Sequence, residues 1–366
     1  MASRNISFDK IPSSIRKPGK YFEFNTKLAV RTLPGNLQRL LIIGQRLSSV
    51  VSNVGALEPV DVFSDADAEV YFGAGSIAHL MTRAAITANP YVQLTVIAVD
   101  DAEAGVAATG TFTITGTATG VGVATVYICG DRIDVAVASG DTPTDLAAAL
   151  SAAINDKPGL PVTAGVAAGV VTVTAKNKGL AGNGITLSSA VTASAVTIAT
   201  TAMASGDIDP DLAPAFAAVF AAGHNLIAIP FDTSDALLAL RTHLEAVGSP
   251  MEQRDALGFA GTAGTLSAAT TLASGNNSGL ISLAWHNGSK RSAAQIAAGY
   301  AAVVASEEDP ARPLNTLEIA GLDVTAIPDQ PGRTEQENAL YNGVTPLEVG
   351  PGDRIQIVHG RSARCG

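Results

Sequence analysis

A glycine-rich turn is the part of the sequence that most resembles a site of chemistry. The stretch FGAGSIA places Gly73, Gly75 and Ala78 in the G-x-G-x-x-A spacing that binds dinucleotide phosphates at the start of a helix. That site requires a buried strand directly before the first glycine, whereas the preceding residues, DVFSDADAEVY, are acidic and typical of a loop. An acidic approach also repels a pyrophosphate. We therefore interpret FGAGSIA as a loop leading into a helix, and we predict no cofactor.

Clusters of acidic residues suggest a second chemistry, the binding of a metal ion. The stretch DIDPD at 207–211 has the alternating aspartates of a calcium loop, but Leu212 and Ala218 occupy the positions of the required glycine and closing acid. The pattern instead predicts a helix capped by Asp209, with carboxylates favoured near its N-terminus. We interpret DADAE at 65–69 as a solvated turn. Neither stretch predicts a metal site.

The histidines are scattered through the chain without the spacing of metal ligands. We expect His243 to lie on the exposed side of its helix, and a catalytic role for any histidine would need tertiary proximity that sequence does not reveal. Neither G-x-S-x-G nor a P-loop occurs. The sequence therefore predicts no enzyme. The five histidines are His79, His224, His243, His286 and His359.

The composition indicates a large protein whose interior is filled by small residues. The chain has 366 residues, of which 47% are hydrophobic, 5% aromatic and 15% charged, against about a quarter charged in an average domain. The net charge of -10 argues against a nucleic-acid partner, which requires a basic surface. We expect Cys129 and Cys365 to be free thiols, and a disulfide between them stays an alternative.

No segment has the pattern of a signal peptide or a membrane span. The N-terminus carries charges and prolines where a signal peptide needs an apolar core. The apolar stretch at 213–231 is broken by Gly223-His224-Asn225, so it predicts a helix, a turn and a strand. We therefore expect no direct insertion into a membrane.

The order of the predicted elements divides the chain into an arm, a core and an insertion. Strands alternate with helices over residues 31–100 and again over 207–366, which predicts one discontinuous α/β core. Residues 101–206 between them are dominated by Thr, Val, Ala and Gly and show period-two strands. The predicted fold class is an α/β (α+β) core interrupted by an inserted β-rich domain, with residues 1–30 as an extended N-terminal arm.

Capping residues predict where several helices begin. Thr142 or Thr144 caps the helix of the insertion, and Ser292 starts a helix of the core. Thr334 is followed three residues later by Glu337, which is the spacing of a capping box.

The arm contains a strand-like run in which aromatic residues lie among charges. The stretch KPGKYFEFNTKLAVRTLP, residues 17–34, is bounded by Pro-Gly pairs, and its side chains alternate between two faces. A strand without a partner exposes its backbone groups, so this run needs a sheet to join. The predicted strand consists of Tyr21, Phe22, Glu23, Phe24, Asn25 and Thr26.

Four stretches, taken together and in order, resemble the tail sheath proteins of contractile phages, specifically the Mu-like branch. None is diagnostic alone, but together they extend over residues 18 to 358. The β-rich insertion also has a counterpart in that branch, as a variable domain that faces outward. The stretches are PGKYFEFNTKLAVRTLPGNLQRLLIIGQRL, YFGAGSIAHLMTRA, ASEEDPARPLNTLEIAGL and TEQENALYNGVTPLEVGPGDRIQIV.

The resemblance implies a structural subunit of the virion. Sheath proteins surround a tail tube as helically stacked rings and contract to drive the tube through the host envelope for genome ejection. The implied partners are other sheath subunits, the tail tube protein, and baseplate and tail terminator proteins. The implied location is the virion tail, with assembly in the host bacterial cytoplasm.

The resemblance also implies a partner for the predicted strand. In the family, extended arms add strands to a sheet of the next subunit, so we expect residues 21–26 to pair with another copy. Family members continue past the position that matches IQIV. We therefore expect this chain to lack the family's C-terminal region.

Three alternatives fit parts of the pattern. The same kind of subunit serves as the sheath of a phage-derived bacteriocin or related contractile injection system. A nucleotide-binding α/β enzyme depends only on FGAGSIA and the α/β alternation. A carbohydrate-binding or adhesive module in residues 101–206 would need exposed aromatic rings, and that segment has only Phe112 and Tyr127.

Overall fold

The fold is seen in a computed structural model that describes residues 38–49, 54–307 and 313–363. The predicted arm, residues 1–30, lies outside the described residues. The described strands are β1 (Arg39–Gln45), β2 (Pro59–Asp61), β3 (Gln93–Val99), β4 (Thr109–Thr115), β5 (Gly122–Ile128), β6 (Asp131–Val137), β7 (Val162–Ala167), β8 (Val170–Ala175), β9 (Leu187–Val191), β10 (Thr197–Ala204), β11 (Leu226–Ala228), β12 (Leu257–Thr262), β13 (Ile281–Trp285), β14 (Val344–Gly350) and β15 (Arg354–Ile357). The described α-helices are α1 (Asp65–Phe72), α2 (Ile77–Ala88), α3 (Pro143–Asn155), α4 (Ala213–Val219), α5 (Ser234–Val247), α6 (Leu266–Asn276), α7 (Ala293–Ser306) and α8 (Arg333–Tyr341).

An eight-stranded sheet forms the core, in the order β15-β14-β13-β12-β11-β1-β3-β2. The strands from β14 to β3 are parallel, and β15 and β2 pair antiparallel at the two edges. Strand β1 lies between β11 and β3, with Leu40 opposite Leu226 on one side and Leu94 on the other. The sheet grows in both directions from β1, which is the doubly wound arrangement. The loops that follow the carboxyl ends of the parallel strands therefore gather at one edge.

Helices cover both faces of this sheet, which explains the uninterrupted apolar run in β1. Leu40 and Ile42 pack with α1, α2 and α7, whereas Leu41 and Ile43 pack with α4, α5 and α6. Gly44 follows these residues, and a Cβ at that position would lie 2.6 Å from the Cα of Ala78. Helix α2 can approach β1 this closely only because residue 44 is glycine. The predicted α/β fold class is confirmed.

The chain between β3 and α4 forms two further antiparallel sheets, β10-β4-β8-β7 and β6-β5-β9. They bury a separate hydrophobic core that includes Phe112, Val126 and Leu150 of α3. A backbone bridge between Val106 and Asp207 holds the two ends of this inserted segment side by side. The segment therefore leaves the core sheet and returns to it at one place.

Residues at the end of α3 cover the outer strands of these two sheets. Asn155 donates from Nδ2 to the Ala164 carbonyl of β7 at 2.8 Å and accepts the Ala164 N–H at 2.9 Å. Lys157 Nζ donates to the Arg132 carbonyl of β6 at 2.6 Å. An unpaired edge strand can pair with a strand of another molecule. These side chains bind backbone groups of β6 and β7 that would otherwise be open to such pairing.

Two of the predicted helix starts are confirmed. Thr142, rather than Thr144, caps α3, and it forms a capping box with Asp145. Ser292 caps α7 in a capping box with Gln295. In both places the side chain that accepts a backbone N–H is the one that the sequence pattern predicts.

The predicted start of α8 is wrong by two residues. The helix begins at Arg333 with Gly332 as its N-cap, and the Gly332 N–H donates to Glu335 at 2.9 Å. Thr334 lies inside the helix, and Glu337 forms an ion pair with Arg333 at 3.0 Å. Gly332 has the ordinary extended backbone of an N-cap, and since it has no side chain, the Glu335 carboxylate supplies the side-chain hydrogen bond of this cap.

Candidate functional site

The glycine-rich turn joins two helices. Helix α1 ends at Phe72 and α2 begins at Ile77, so a helix, not a strand, precedes Gly73. The Gly75 N–H donates to Nδ1 of His79 at 2.9 Å, and Lys176 of the inserted segment donates to the Ala74 carbonyl at 2.9 Å. The polar groups of this turn therefore bind other parts of the chain.

The acidic stretch 65–69 is helical, which corrects its prediction as a solvated turn. It forms the first part of α1, with the Ser64 hydroxyl accepting the Asp67 N–H at 3.1 Å. Asp65 reaches Nε2 of His79 at 3.0 Å. Burial lowers the pKa of His79, and the nearby Asp65 carboxylate opposes that shift. Since Nδ1 accepts from the backbone, a neutral His79 donates from Nε2 to Asp65.

A polar network joins the inserted segment to the carboxyl ends of β1 and β3. Asp101 accepts from Gln45 Nε2 at 2.9 Å, from Asn177 Nδ2 at 3.0 Å and from the Lys178 N–H at 3.1 Å. Asn177 Oδ1 accepts the Ile77 N–H, which lies at the N-terminus of α2. The Gln45 and Asn177 side chains are buried, so removing Asp101 would cost each of them a hydrogen-bond partner that water cannot readily replace.

A second contact joins the β5–β6 turn to the start of α7. Arg291 Nη1 donates to the Cys129 carbonyl and to Asp131, both at 3.1 Å. The Cys129 thiol donates to Gln295 at 3.4 Å. Burial raises the pKa of Cys129 to about 11, so this thiol stays protonated at neutral pH. Its position indicates a packing role.

A cleft of about 620 Å³ lies between the inserted segment and the carboxyl ends of β11, β12 and β13. Asp209 and Asp232 line it, and burial raises the pKa of both carboxyls. Asp209 does not cap α4, which begins at Ala213; its Oδ1 instead accepts the Ala181 N–H at 3.3 Å. Thr262 donates to Asp232 at 3.1 Å. In residues 38–49, 54–307 and 313–363, no three His, Cys, Asp or Glu residues are grouped to hold a metal ion.

His243 is buried, which corrects the prediction that it lies on an exposed face. Its ring stacks on Phe216 of α4 with centroids 4.7 Å apart. His224 is also buried, and both histidines line one small cavity. Burial lowers the pKa of His224 to about 4, and positive charge on Arg39 adds to the shift. Both rings are neutral at pH 7 and act as packing groups.

The other predicted residues are placed as follows. His286 is buried and its Nε2 contacts the Asp323 carbonyl at 2.8 Å. His359 lies just after β15. The predicted inter-subunit strand lies outside the described residues. Within the part of the chain that is described, no helix is long and apolar enough to span a membrane.

The sequence alone did not predict the contacts between the inserted segment and the core. Gln45 and Lys178 are separated by 133 residues, and Cys129 and Gln295 by 166. The only local signal is that polar residues follow the apolar runs of β1 and β3. These contacts join two packed parts of one chain and offer no arrangement of nucleophile, base and oxyanion donors.

Comparison with known proteins identifies the class. Residues 206–363 match the family described as phage tail sheath protein central domain. The chain is 34% identical over 360 residues to the Mu-like prophage FluMu tail sheath protein of Haemophilus influenzae, covering 96% of this chain and 73% of that protein. The crystal structure of the sheath tail protein from Desulfitobacterium hafniense aligns over 93% of this chain and 74% of its own, with 13% identity and a TM-score of 0.45.

These matches define a structural protein of a phage tail. The chain belongs to the phage tail sheath protein family, and it is a structural subunit of a contractile tail sheath that assembles with other sheath subunits in the virion tail.

Proposed function

We propose that this subunit encloses a tail tube, contacts baseplate and tail terminator proteins at the ends of the sheath, and performs no catalysis itself. The observation that carries the proposal is the 34% identity that extends over 96% of the chain, so it includes the inserted segment as well as the core. The buried histidines and the protonated thiol, which serve packing, support the absence of catalysis. Assembly would take place in the host bacterial cytoplasm before the particle is released.

The inserted segment, residues 101–206, is proposed to be an outward-facing domain. Its own hydrophobic core and the backbone bridge that holds its two ends together support this division of the chain. Residues 31–100 and 207–366 would then form the sheath core, and residues 1–30 the arm. A particle surface tolerates variable domains better than an inner surface that must fit a tube.

The predicted strand, residues 21–26, is proposed to pair with a sheet of another copy. The alternation of Tyr21, Glu23 and Asn25 with Phe22 and Phe24 supports a strand, and strand addition gives backbone hydrogen bonds between subunits.

The test compares self-association of the full chain with that of two proline variants. Proline within a paired strand removes a backbone donor, so Phe24→Pro is expected to weaken self-association at least tenfold in sedimentation velocity. Ser14→Pro, in the unpatterned part of the arm, is the control and should behave as the wild type. Equal association of all three proteins would refute the strand. A wild-type chain that stays monomeric at every concentration would contradict self-assembly itself.

A sheath of a phage-derived bacteriocin or related contractile injection system is the second candidate. The family match fits it equally, because the same kind of subunit would serve both. Purified particles distinguish the two, since a phage particle contains DNA and a bacteriocin does not.

A further inference from the structure

The inserted segment returns to the core through residues 205–212, which join β10 to α4 and which we call the return linker. The return linker packs against a short 3-10 helix of the inserted segment, Leu180–Gly184. Asn183 of that helix binds both backbone groups of Gly206, donating to the carbonyl at 2.9 Å and accepting the N–H at 2.8 Å. The return linker and this 3-10 helix therefore form a joint between the inserted segment and the core.

Asp209 is the residue of the return linker whose side chain is incompletely bound. Its Oδ1 accepts the Ala181 N–H at 3.3 Å, and the packing there is close, because a Cβ on Gly179 would collide with this carboxyl. Its Oδ2 is buried and has no hydrogen-bond partner among the described residues. An ionised carboxylate with a buried, unbound oxygen is more costly than the neutral acid. The N–H groups of Leu180 and Ala181 lower the pKa of Asp209, but burial outweighs them and raises it.

The charged groups around Asp209 are also acidic. A second cleft, of about 360 Å³, lies along the return linker and shares Asp209 with the cleft of about 620 Å³. Among the described residues, the charged side chains that line these two clefts are Asp207, Asp209, Asp211, Asp232 and Asp235. Negative charge on Asp232 and Asp207 raises the pKa of Asp209 further. Ionisation of Asp209 therefore adds a like charge to a place that already holds several.

The cations of the neighbouring elements have other partners. At the start of α7, Lys290 Nζ lies over the Tyr127 ring at 5.6 Å from its centroid, and Arg291 binds Asp131 at 3.1 Å. In the inserted segment, Lys176 binds the turn before α2. Lys178 is the cation nearest in sequence to the 3-10 helix, yet the charges that act most strongly on the pKa of Asp209 are both negative.

We propose that Asp209 makes this joint sensitive to pH, so that the inserted segment is held tightly when the carboxyl is protonated and more loosely when it is ionised. The pKa of Asp209 is higher in the folded chain than in the unfolded chain. The stabilisation by the protonated group is therefore complete below the ordinary pKa of a carboxyl, about 3.9, and it is lost as the pH rises through the folded value. The joint lies within one chain, so the inference does not depend on sheath assembly.

The test measures amide hydrogen exchange of the full chain by mass spectrometry at about pH 4.5 and about pH 8, on either side of the titration. Protection is expressed relative to the intrinsic exchange rate at each pH. Asp209→Asn keeps the acceptor for the Ala181 N–H and is neutral at both pH values. Asp211→Asn is the matched control, because Asp211 lies in the same linker, is exposed, and binds the Ala213 N–H through an oxygen that asparagine retains.

The expected result is a change in protection at the joint that the core does not share. In the wild type, residues 179–185 should be protected about fivefold more at the lower pH, relative to residues 40–43 of β1. In Asp209→Asn, the protection of residues 179–185 at about pH 8 should rise to the wild-type value at the lower pH, and the pH dependence should disappear. Asp211→Asn should behave as the wild type.

Three results would overturn the proposal. They are wild-type protection that does not change with pH, the same pH dependence in Asp209→Asn as in the wild type, and a loss of protection in Asp209→Asn at the higher pH, which would show that the ionised carboxylate holds the joint. If Asp209→Asn does not fold, Asp232→Asn provides the decision. Removing that neighbouring charge should raise the protection of residues 179–185 about twofold at the higher pH, and an unchanged value would refute the proposal.

Discussion

Replacing Gly75 with alanine tests how tightly the inserted segment is held against the core. Gly75 has a φ of +78°, and a Cβ built there would lie 2.0 Å from the Leu160 carbonyl oxygen of the inserted segment. No side-chain rotation can relieve that clash, because both atoms are fixed by backbone. Either the turn or the inserted segment has to move.

Gly352 is a matched control for the backbone strain. Its φ is +79°, and a Cβ there would meet no atom within 4 Å. Alanine in the left-handed region costs about 1–2 kcal/mol at either position. Only Gly75→Ala adds overpacking, which costs about 1–3 kcal/mol in a packed site. Gly75→Ala should therefore lower the free energy of unfolding by about 1–3 kcal/mol more than Gly352→Ala.

Urea unfolding followed by the fluorescence of Trp285 measures this difference. Trp285 is the single tryptophan, is buried, and donates from its ring N–H to the Gly264 carbonyl at 2.7 Å. Equal losses in the two glycine variants would mean that the inserted segment moves aside at no cost. The described contacts at Asp101 and Arg291 would then not fix its position.

Two further perturbations test single groups. His224 has a pKa of about 4 in the folded chain against 6.5 in the unfolded chain, so the unfolded chain binds the proton first as the pH falls. Stability should drop by about 3 kcal/mol between pH 6.5 and pH 4, and His224→Gln should flatten that part of the pH profile in urea unfolding; an unchanged slope would contradict this. Asn155→Ala should destabilise the inserted segment by about 1 kcal/mol in the same assay, because the Ala164 N–H loses its side-chain acceptor, whereas the Ala164 carbonyl keeps the Ser151 hydroxyl as a donor at 3.1 Å. No measurable loss of stability in Asn155→Ala would contradict this contribution of the Ala164 N–H bond.

Periodic patterns predicted the parts of the fold that packing alone determines. Leu40–Ile43 is apolar at every position because both faces of β1 are covered, and such a run identifies a buried parallel strand. Thr142 and Ser292 could be assigned as caps because the cap interactions lie within three residues. Local chemistry of this kind is visible in a single sequence.

Helix α6, the N-cap predicted at Asp209 and the predicted exposure of His243 show where local sequence patterns do not determine the structure. Helix α6, LSAATTLASGN, is rich in Ser, Thr and Gly, which have low helix propensity, so it forms because Ala269 and Ala273 pack on the sheet. Asp209 has the sequence context of a cap but is drawn to the Ala181 N–H, 28 residues earlier. His243 was expected to be exposed, yet α4 supplies Phe216 to stack on it.

The contacts between the inserted segment and the core were the least predictable feature of the structure. The contacts at Asp101, Arg291 and Gly75 join residues far apart in sequence, and a single chain carries no pattern for such pairs. Residues 21–26 remain a prediction.

The side chains that cover β6 and β7 also matter for a crowded particle. A sheath contains many copies of the same subunit along its length, so an unpaired strand edge on one copy would be repeated at regular intervals. With the inserted segment facing outward, as we propose, an unpaired edge strand on every copy would let assembled tails aggregate side by side through strand pairing. Asn155 and Lys157 occupy backbone groups on those two strands. Two polar side chains on each copy would thus help to keep neighbouring particles dispersed and able to act singly.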